Sequence, residues 1–144
     1  MAIAQGATNT FKVGMLDSAY DFGTDTFKIA LYTGAASIGP DTAAYSTGMA
    51  GEVVAAGYTE GGEILTVSQV PTIGNQSGNA TAYLSFSNVT WTSALTARGA
   101  LIYKSGGGNP TVCVLDFGAD KTSTATFTVQ FPATTNTAAI IRIS

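Results

Sequence analysis

The stretch GALIYKSGGGNPTVCVLDF, residues 99–117, decides the fold. Lys104 followed by Gly106, Gly107 and Gly108 has the composition of a loop that cradles phosphate. Such a loop needs a strand, then G-x-x-x-x-G-K-[ST], then a helix, so that amides at the helix N-terminus face the phosphate. Here the lysine precedes the glycines, and Thr111–Phe117 after them reads as a strand. Apolar runs on either side of Gly, Asn and Pro spell a hairpin. Their nearly continuous hydrophobicity is that of central strands covered on both faces. The glycines turn a corner.

Period-two alternation spreads outward from this hairpin. TFTVQF (126–131) sets Phe127, Val129 and Phe131 against Thr126, Thr128 and Gln130, and Pro132 ends the donor ladder. TFKIALYT (26–33) groups Phe27, Ile29 and Leu31 opposite Lys28, Ala30 and Tyr32. TAYLSFSNVTW (81–91) groups Ala82, Leu84 and Phe86, then shifts by one residue to Val89 and Trp91, the mark of a bulge or a strand end. AAIIRI (138–143) reads as a terminal strand, and a short one is expected around Ile64–Val67. Only FKVGMLDSAY (11–20) offers a helical turn or two, with Phe11, Met15 and Leu16 inward and Gly14 weakening it. Residues 33–48, 57–62 and 70–80 read as loops. The fold class is therefore all-β: a β-sandwich, jelly-roll-like or immunoglobulin-like, with at most one short N-terminal helix. Residues 1–10 read as an N-terminal arm free to flex and 11–144 as a single β-sandwich domain. The expected core holds Phe27, Ile29, Leu31, Leu84, Phe86, Val112, Val114, Phe127, Val129 and Phe131.

Charge is scarce. Only 10% of the residues are charged, against about 25% in ordinary domains. The remaining surface must be Thr, Ser, Asn, Gly and Ala, which defends poorly against association and favours life in contact with other protein. Net charge is −3, and Lys12, Lys28, Arg98, Lys104, Lys121 and Arg142 are scattered, so nucleic acid is not an expected partner. No run of about 18 apolar residues is present to cross a membrane as a helix. The opening MAIAQGATNT lacks the basic and apolar regions of a signal peptide, so synthesis in a cytoplasm without general secretion is expected.

Chemistry has little to work with. There is no histidine to act as a base or metal ligand, and Cys113, the one cysteine, has no partner for nucleophilic activation. In TVCVLDF it reads as a small core hydrophobe. A Ser–Lys pair built on Lys28 or Lys104 is singled out by no spacing. Asp17, Asp21 and Asp25 recur every fourth residue, but EF-hand spacing and its glycine are absent, and turn residues are the better reading. Asn75, Asn79 and Asn88 match the glycosylation acceptor by chance in a Thr-rich chain. Arg98 opens an apolar strand and needs a carboxylate, Asp116 or Asp120. Trp91 reads as a core anchor. Catalytic, cofactor-binding and metal residues are thus expected to be none, and the chain is not expected to be an enzyme.

A series of motifs carries a resemblance. DTFKIALYT (25–33), AAYST (43–47), GYTEGGEIL (57–65), VTWTSALTARGALIY (89–103), VLDFGADKT (114–122) and FTVQFP (127–132) resemble small virion proteins of tailed bacteriophages, over residues 11–143. The resemblance implies a structural virion protein of the capsid cement or decoration type, made in the host cytoplasm and placed on the capsid surface. Its expected partner is the major capsid protein, with self-association as a homo-oligomer, a trimer favoured. The alternative is a tail, vertex or head-fibre component that binds a receptor or carbohydrate through loop aromatics such as Tyr45 or Tyr58. No functional residue carries over. Circular dichroism should give a helix content far below the ~30–35% average of globular domains; a quarter or more would reject the all-β assignment.

Overall fold

The structure, a computed structural model, describes residues 2–76 and 79–144. In chain order the elements are β1 (Gly6–Ala7), α1 (Asn9–Leu16), β2 (Phe27–Tyr32), β3 (Glu63–Leu65), β4 (Val67–Gln76), β5 (Asn79–Phe86), β6 (Val89–Trp91), β7 (Thr96–Lys104), β8 (Thr111–Thr122), β9 (Phe127–Val129) and β10 (Ile141–Ile143). The fold is all-β and sandwich-like, with one short helix. A five-stranded sheet has the order β1-β8-β7-β2-β3, a three-stranded sheet β10-β5-β4, and a two-stranded sheet β6-β9. The pairings between these named strands are antiparallel, so hydrophobic alternation along each strand sets the register.

Side chains from all these sheets meet in one core. Phe27, Ile29, Leu31, Ala100, Ile102 and Val112 come from the large sheet, Leu84 and Phe86 from β5, and Trp91, Phe127 and Val129 from β6 and β9. The expected core residues are buried, except that Phe131 is half-buried and packs at the rim against Phe86. Phe22 stacks on Phe27 with ring centroids 4.5 Å apart, so the turn before β2 also contributes a core face.

The glycine loop is the hairpin between β7 and β8. Gly106, Gly107, Gly108 and Asn109 all have positive φ, and the Asn109 side chain accepts the Gly106 N–H at 2.8 Å. At the other end of these strands the ribbon bends. Chain 92–95 carries β6 into β7, and 123–126 carries β8 into β9. The Ser123 N–H bonds to the Leu95 carbonyl at 2.9 Å, and Ser123 Oγ donates to the Ser93 carbonyl at 2.7 Å. One long antiparallel ribbon thereby serves two sheets, the usual way a sandwich turns a corner. The shift of alternation at Val89 and Trp91 is a strand end: β5 stops at Phe86 and β6 begins at Val89.

Four sequence expectations need correction. The N-terminal arm is part of the body: Gly6 and Ala7 pair with Val114 and Cys113, and Ile3 bridges Ile38. Thr8, fully buried, caps α1 by accepting the Phe11 N–H at 3.2 Å and donates to the Thr111 carbonyl at 3.1 Å. Residues 70–76 belong to β4 rather than a loop, with Pro71 accommodated where the β4–β5 register shifts. In α1 the inward residues are Phe11 and Gly14, while Met15 and Leu16 face out. Gly14 is there for fit, since a Cβ at that position would lie 2.2 Å from the ring of Tyr20. Tyr45 and Tyr58 are the fourth case: residues 33–48 and 57–62 are loops as expected, but Tyr45 is buried and Tyr58 is bonded to Glu52.

Phe127 is 6% exposed and touches Trp91 and Phe117 edge-on or tilted. Phe127→Ala should cost about 3–5 kcal/mol in a urea titration; a change under about 0.5 kcal/mol would mean that this face does not pack as described.

Candidate functional site

The charged residues singled out in the sequence serve the scaffold. Asp25 Oδ2 pairs with Lys104 Nζ at 2.9 Å and accepts the Asp21 N–H at 2.8 Å, while Asp21 Oδ1 accepts the Gly23 N–H. The Lys104 hydrogen bond, then the Asp21 amide, hold the Asp25 carboxyl below the usual carboxylate range. Two of the three regularly spaced aspartates are thus turn residues, and Lys104 is bonded to Asp25 and to the Ala19 carbonyl. Among the described residues no group of three or more His, Cys, Asp or Glu is placed to hold a metal ion. Arg98 finds Asp116 at 3.1 Å, and the Gly118 amide and that guanidinium lower the Asp116 carboxyl. Cys113 is buried among apolar side chains, which pushes its thiol up to about 12. Trp91 is 1% exposed, a core anchor. Asn88 uses its Oδ1 to accept the Phe131 N–H, while the side chains of Asn75 and Asn79 lie outside the described residues.

Residues 33–62 are a cover. Its first part lies over the second face of β2, β7 and β8, where Ala30, Tyr32, Leu101, Tyr103 and Val114 meet Ala36, Ile38 and Tyr45, while Val53 enters the main core and Ala55 and Tyr58 pack against it. The Tyr45 and Tyr103 rings stack 4.5 Å apart. Glu52 holds the cover in place: Oε2 accepts the Tyr45 hydroxyl at 2.9 Å, and Oε1 accepts the Tyr58 hydroxyl at 2.9 Å and the Gly61 N–H at 2.7 Å. Tyr58 in turn accepts the Leu31 N–H, and Tyr103 donates to the Gly61 carbonyl at 2.6 Å. Gly62 must be glycine, because φ is +76° and a Cβ would lie 1.7 Å from the Ile29 carbonyl oxygen. Tyr45 and Tyr58 are therefore scaffold residues, and the reading of them as exposed stacking platforms is overturned by Tyr45 being 5% exposed and by Tyr58 being committed to Glu52. Sequence reasoning missed Glu52 and Tyr103, which lie far apart along the chain and share no motif.

The surface offers a different candidate. Ile73 pairs with Ala82, and Ala82 pairs with Ile143, so the three form one row across β4, β5 and β10. Ala82 shares its face with Leu84 and Phe86, which are in the core. The sheet runs on past the core's edge and carries this row with it: Ile73 is 66% exposed and Ile143 55%. Val70 of β4, 53% exposed, adds to the apolar character of that strand. On α1, Val13 and Leu16 also face solvent, at 59% and 89%. Among the described residues no helix is long and apolar enough to cross a membrane. Against known proteins, the chain matches no family model, no curated protein and no solved structure.

Burial raises the phenols of Tyr32, Tyr45 and Tyr58 far above their ordinary value and that of Tyr103 up to about 12. Below about pH 10 both folded and unfolded chains keep these protons; above it the unfolded chain releases them first, so stability declines. The urea midpoint should be steady near neutrality and fall from about pH 9–10 upward, the buried thiol contributing at the lower end. Tyr58→Phe should lower neutral stability by about 1–3 kcal/mol and make the alkaline decline shallower. An unchanged alkaline slope would show that Tyr58 is not held protonated in the fold.

Proposed function

We propose that this chain is a structural virion protein of a tailed bacteriophage, a cement subunit that binds the outer capsid surface and stabilises the shell. The observation that carries the reading is the row Ile73–Ala82–Ile143, apolar side chains aligned in register with both isoleucines open to solvent, on a chain with little charge. Exposed apolar groups of this kind gain from burial against another protein, at roughly 25 cal/mol per Å². The commitment of Lys104, Asp21, Asp25 and Glu52 to the scaffold suits a module that acts by contact. The resemblance of the strand motifs to small virion proteins supports the same reading. The partner is the major capsid protein, and the subunit is a homo-oligomer, a trimer favoured.

A protein that binds only the assembled shell stabilises it by mass action. At 100 times its dissociation constant each site gains about 2.7 kcal/mol, and an icosahedral shell repeats that site many times. With contacts that are apolar and hydrogen-bonded, binding should survive about 1 M salt, where the Debye length falls to about 3 Å. The test is heat-induced rupture of shells lacking the protein, before and after add-back of purified subunit. Add-back should raise the rupture temperature, in low and high salt alike. Ile73→Asp and Ile143→Asp should abolish rebinding while leaving the subunit's own melting temperature nearly unchanged, because both side chains are exposed. Shells that rupture at the same temperature with and without the subunit would sink the cement reading, and density for the chain at the tail or a vertex would move it to a receptor-binding role.

A further inference from the structure

We propose that the cleft framed by residues 117–130 binds a short uncharged oligosaccharide. The cleft has a volume of about 710 Å³, and its lining includes Phe117, Lys121, Thr124, Thr126, Phe127 and Gln130. That volume falls in the range of about 300–1,000 Å³ typical of small-ligand sites. It lies on the bend where β8 passes into β9, apart from the Ile73–Ala82–Ile143 row, and the proposal does not depend on the virion reading.

The lining selects the ligand. Threonines recur at 122, 124, 126 and 128, and all of them are exposed. The outer pair is engaged: Thr122 Oγ1 lies 2.8 Å from Thr96 Oγ1, and Thr128 Oγ1 lies 3.0 Å from Thr90 Oγ1. These cross-strand pairs, with the Ser123 contacts to Leu95 and Ser93, fix the walls in advance of binding. The inner pair is different. The hydroxyls of Thr124 and Thr126 and the amide of Gln130 make no hydrogen bond to protein among the described residues. Each can both donate and accept, which matches sugar hydroxyls. Phe117, half-buried and packed tilted against the buried Phe127 with ring centroids 6.3 Å apart, supplies an apolar surface for the C–H face of a pyranose ring.

Other ligands fit less well. An anion would meet one cation, Lys121, and a metal would meet no carboxylate in the lining. A wholly apolar ligand would strip water from the hydroxyls and give nothing back. An extended peptide needs a straight strand edge, but β9 offers only three residues and the chain turns through 123–126 just before it.

The experiment is a two-dimensional ¹H–¹⁵N titration of the full chain with maltotriose, cellotriose and triacetylchitotriose, each to millimolar concentration. At least one should shift amides confined to residues 117–130. Thr126→Val and Gln130→Ala, exposed positions whose loss should leave the melting temperature unchanged, should together weaken that binding about tenfold or more. The inference is overturned if none of the sugars shifts these amides, or if the shifts persist undiminished in the double variant. A synthetic Thr-rich peptide that shifts them where the sugars do not would make the cleft a strand acceptor and overturn it equally.

Discussion

Everything in this molecule follows from the burial of β2, β7 and β8 on both faces. Ile29 and Leu31 point into the main core while Ala30 and Tyr32, between and beside them, are also fully buried on the opposite side. A strand apolar on one face needs one layer above it; these need two. The small sheets and α1 supply the first. The second comes from Ala36, Ile38 and Tyr45 in the segment 33–62, which contains no strand or helix among the named elements and so brings polar backbone onto an apolar face. Backbone groups placed there must find partners. Part of the answer is local pairing along the end of β2, where Val53 N–H bonds to the Leu31 carbonyl and Thr33 N–H to the Gly51 carbonyl. The rest is Glu52, whose carboxyl oxygens gather Tyr45, Tyr58 and Gly61 at one point. Removing that acceptor would leave several donors unsatisfied at once, each costing about 1–3 kcal/mol when buried.

The same demand explains the N-terminus. The outer edge of β8 would be an open template for pairing with another chain, and β1 closes part of it. Gln5 extends the closure by accepting the Asp116 N–H at 3.1 Å through its side chain. Thr8, Tyr20 and Thr111 then tie the start of α1, the turn after it and the cover together, with Tyr20 donating to the Thr111 carbonyl at 2.7 Å and Thr111 to the Thr42 carbonyl at 2.5 Å. A segment that would be an arm if left alone becomes part of the sheet because the sheet has an edge to close.

Where the scaffold finishes, two surfaces remain unspent. One is apolar and flat, the strand row that continues the core face beyond the core. The other is concave and hydroxyl-lined, at the bend of the long ribbon. They differ in chemistry because they differ in origin: the first is alternation carried past the point where it is needed, the second is the solvent face of a strand whose inner face holds Phe127 and Val129. The apolar row and the polar cleft share no residue, so covering one leaves the other open.

What the sequence determined by itself was governed by neighbours along the chain. Period-two alternation fixed which of Phe27, Ile29, Leu31, Leu84, Phe86, Phe127 and Val129 face inward, and glycine, asparagine and proline fixed the hairpin after Lys104, because both depend on local backbone geometry. The need of Arg98 for a carboxylate was legible too, since its cost is set by its own strand, and Asp116 answers it. Tertiary structure alone decided the rest. Tyr45, Glu52, Tyr58 and Tyr103 read as loop and strand residues without relation, and only the folding of 33–62 over the sheet brings their oxygens within hydrogen-bond reach. Met15 and Leu16 face out because Tyr20 folds back against Gly14 and takes the inward side of the helix, a contact no helical period contains. The row Ile73–Ala82–Ile143 likewise exists only through register, for three separated residues become one surface when strands distant in the sequence pair side by side.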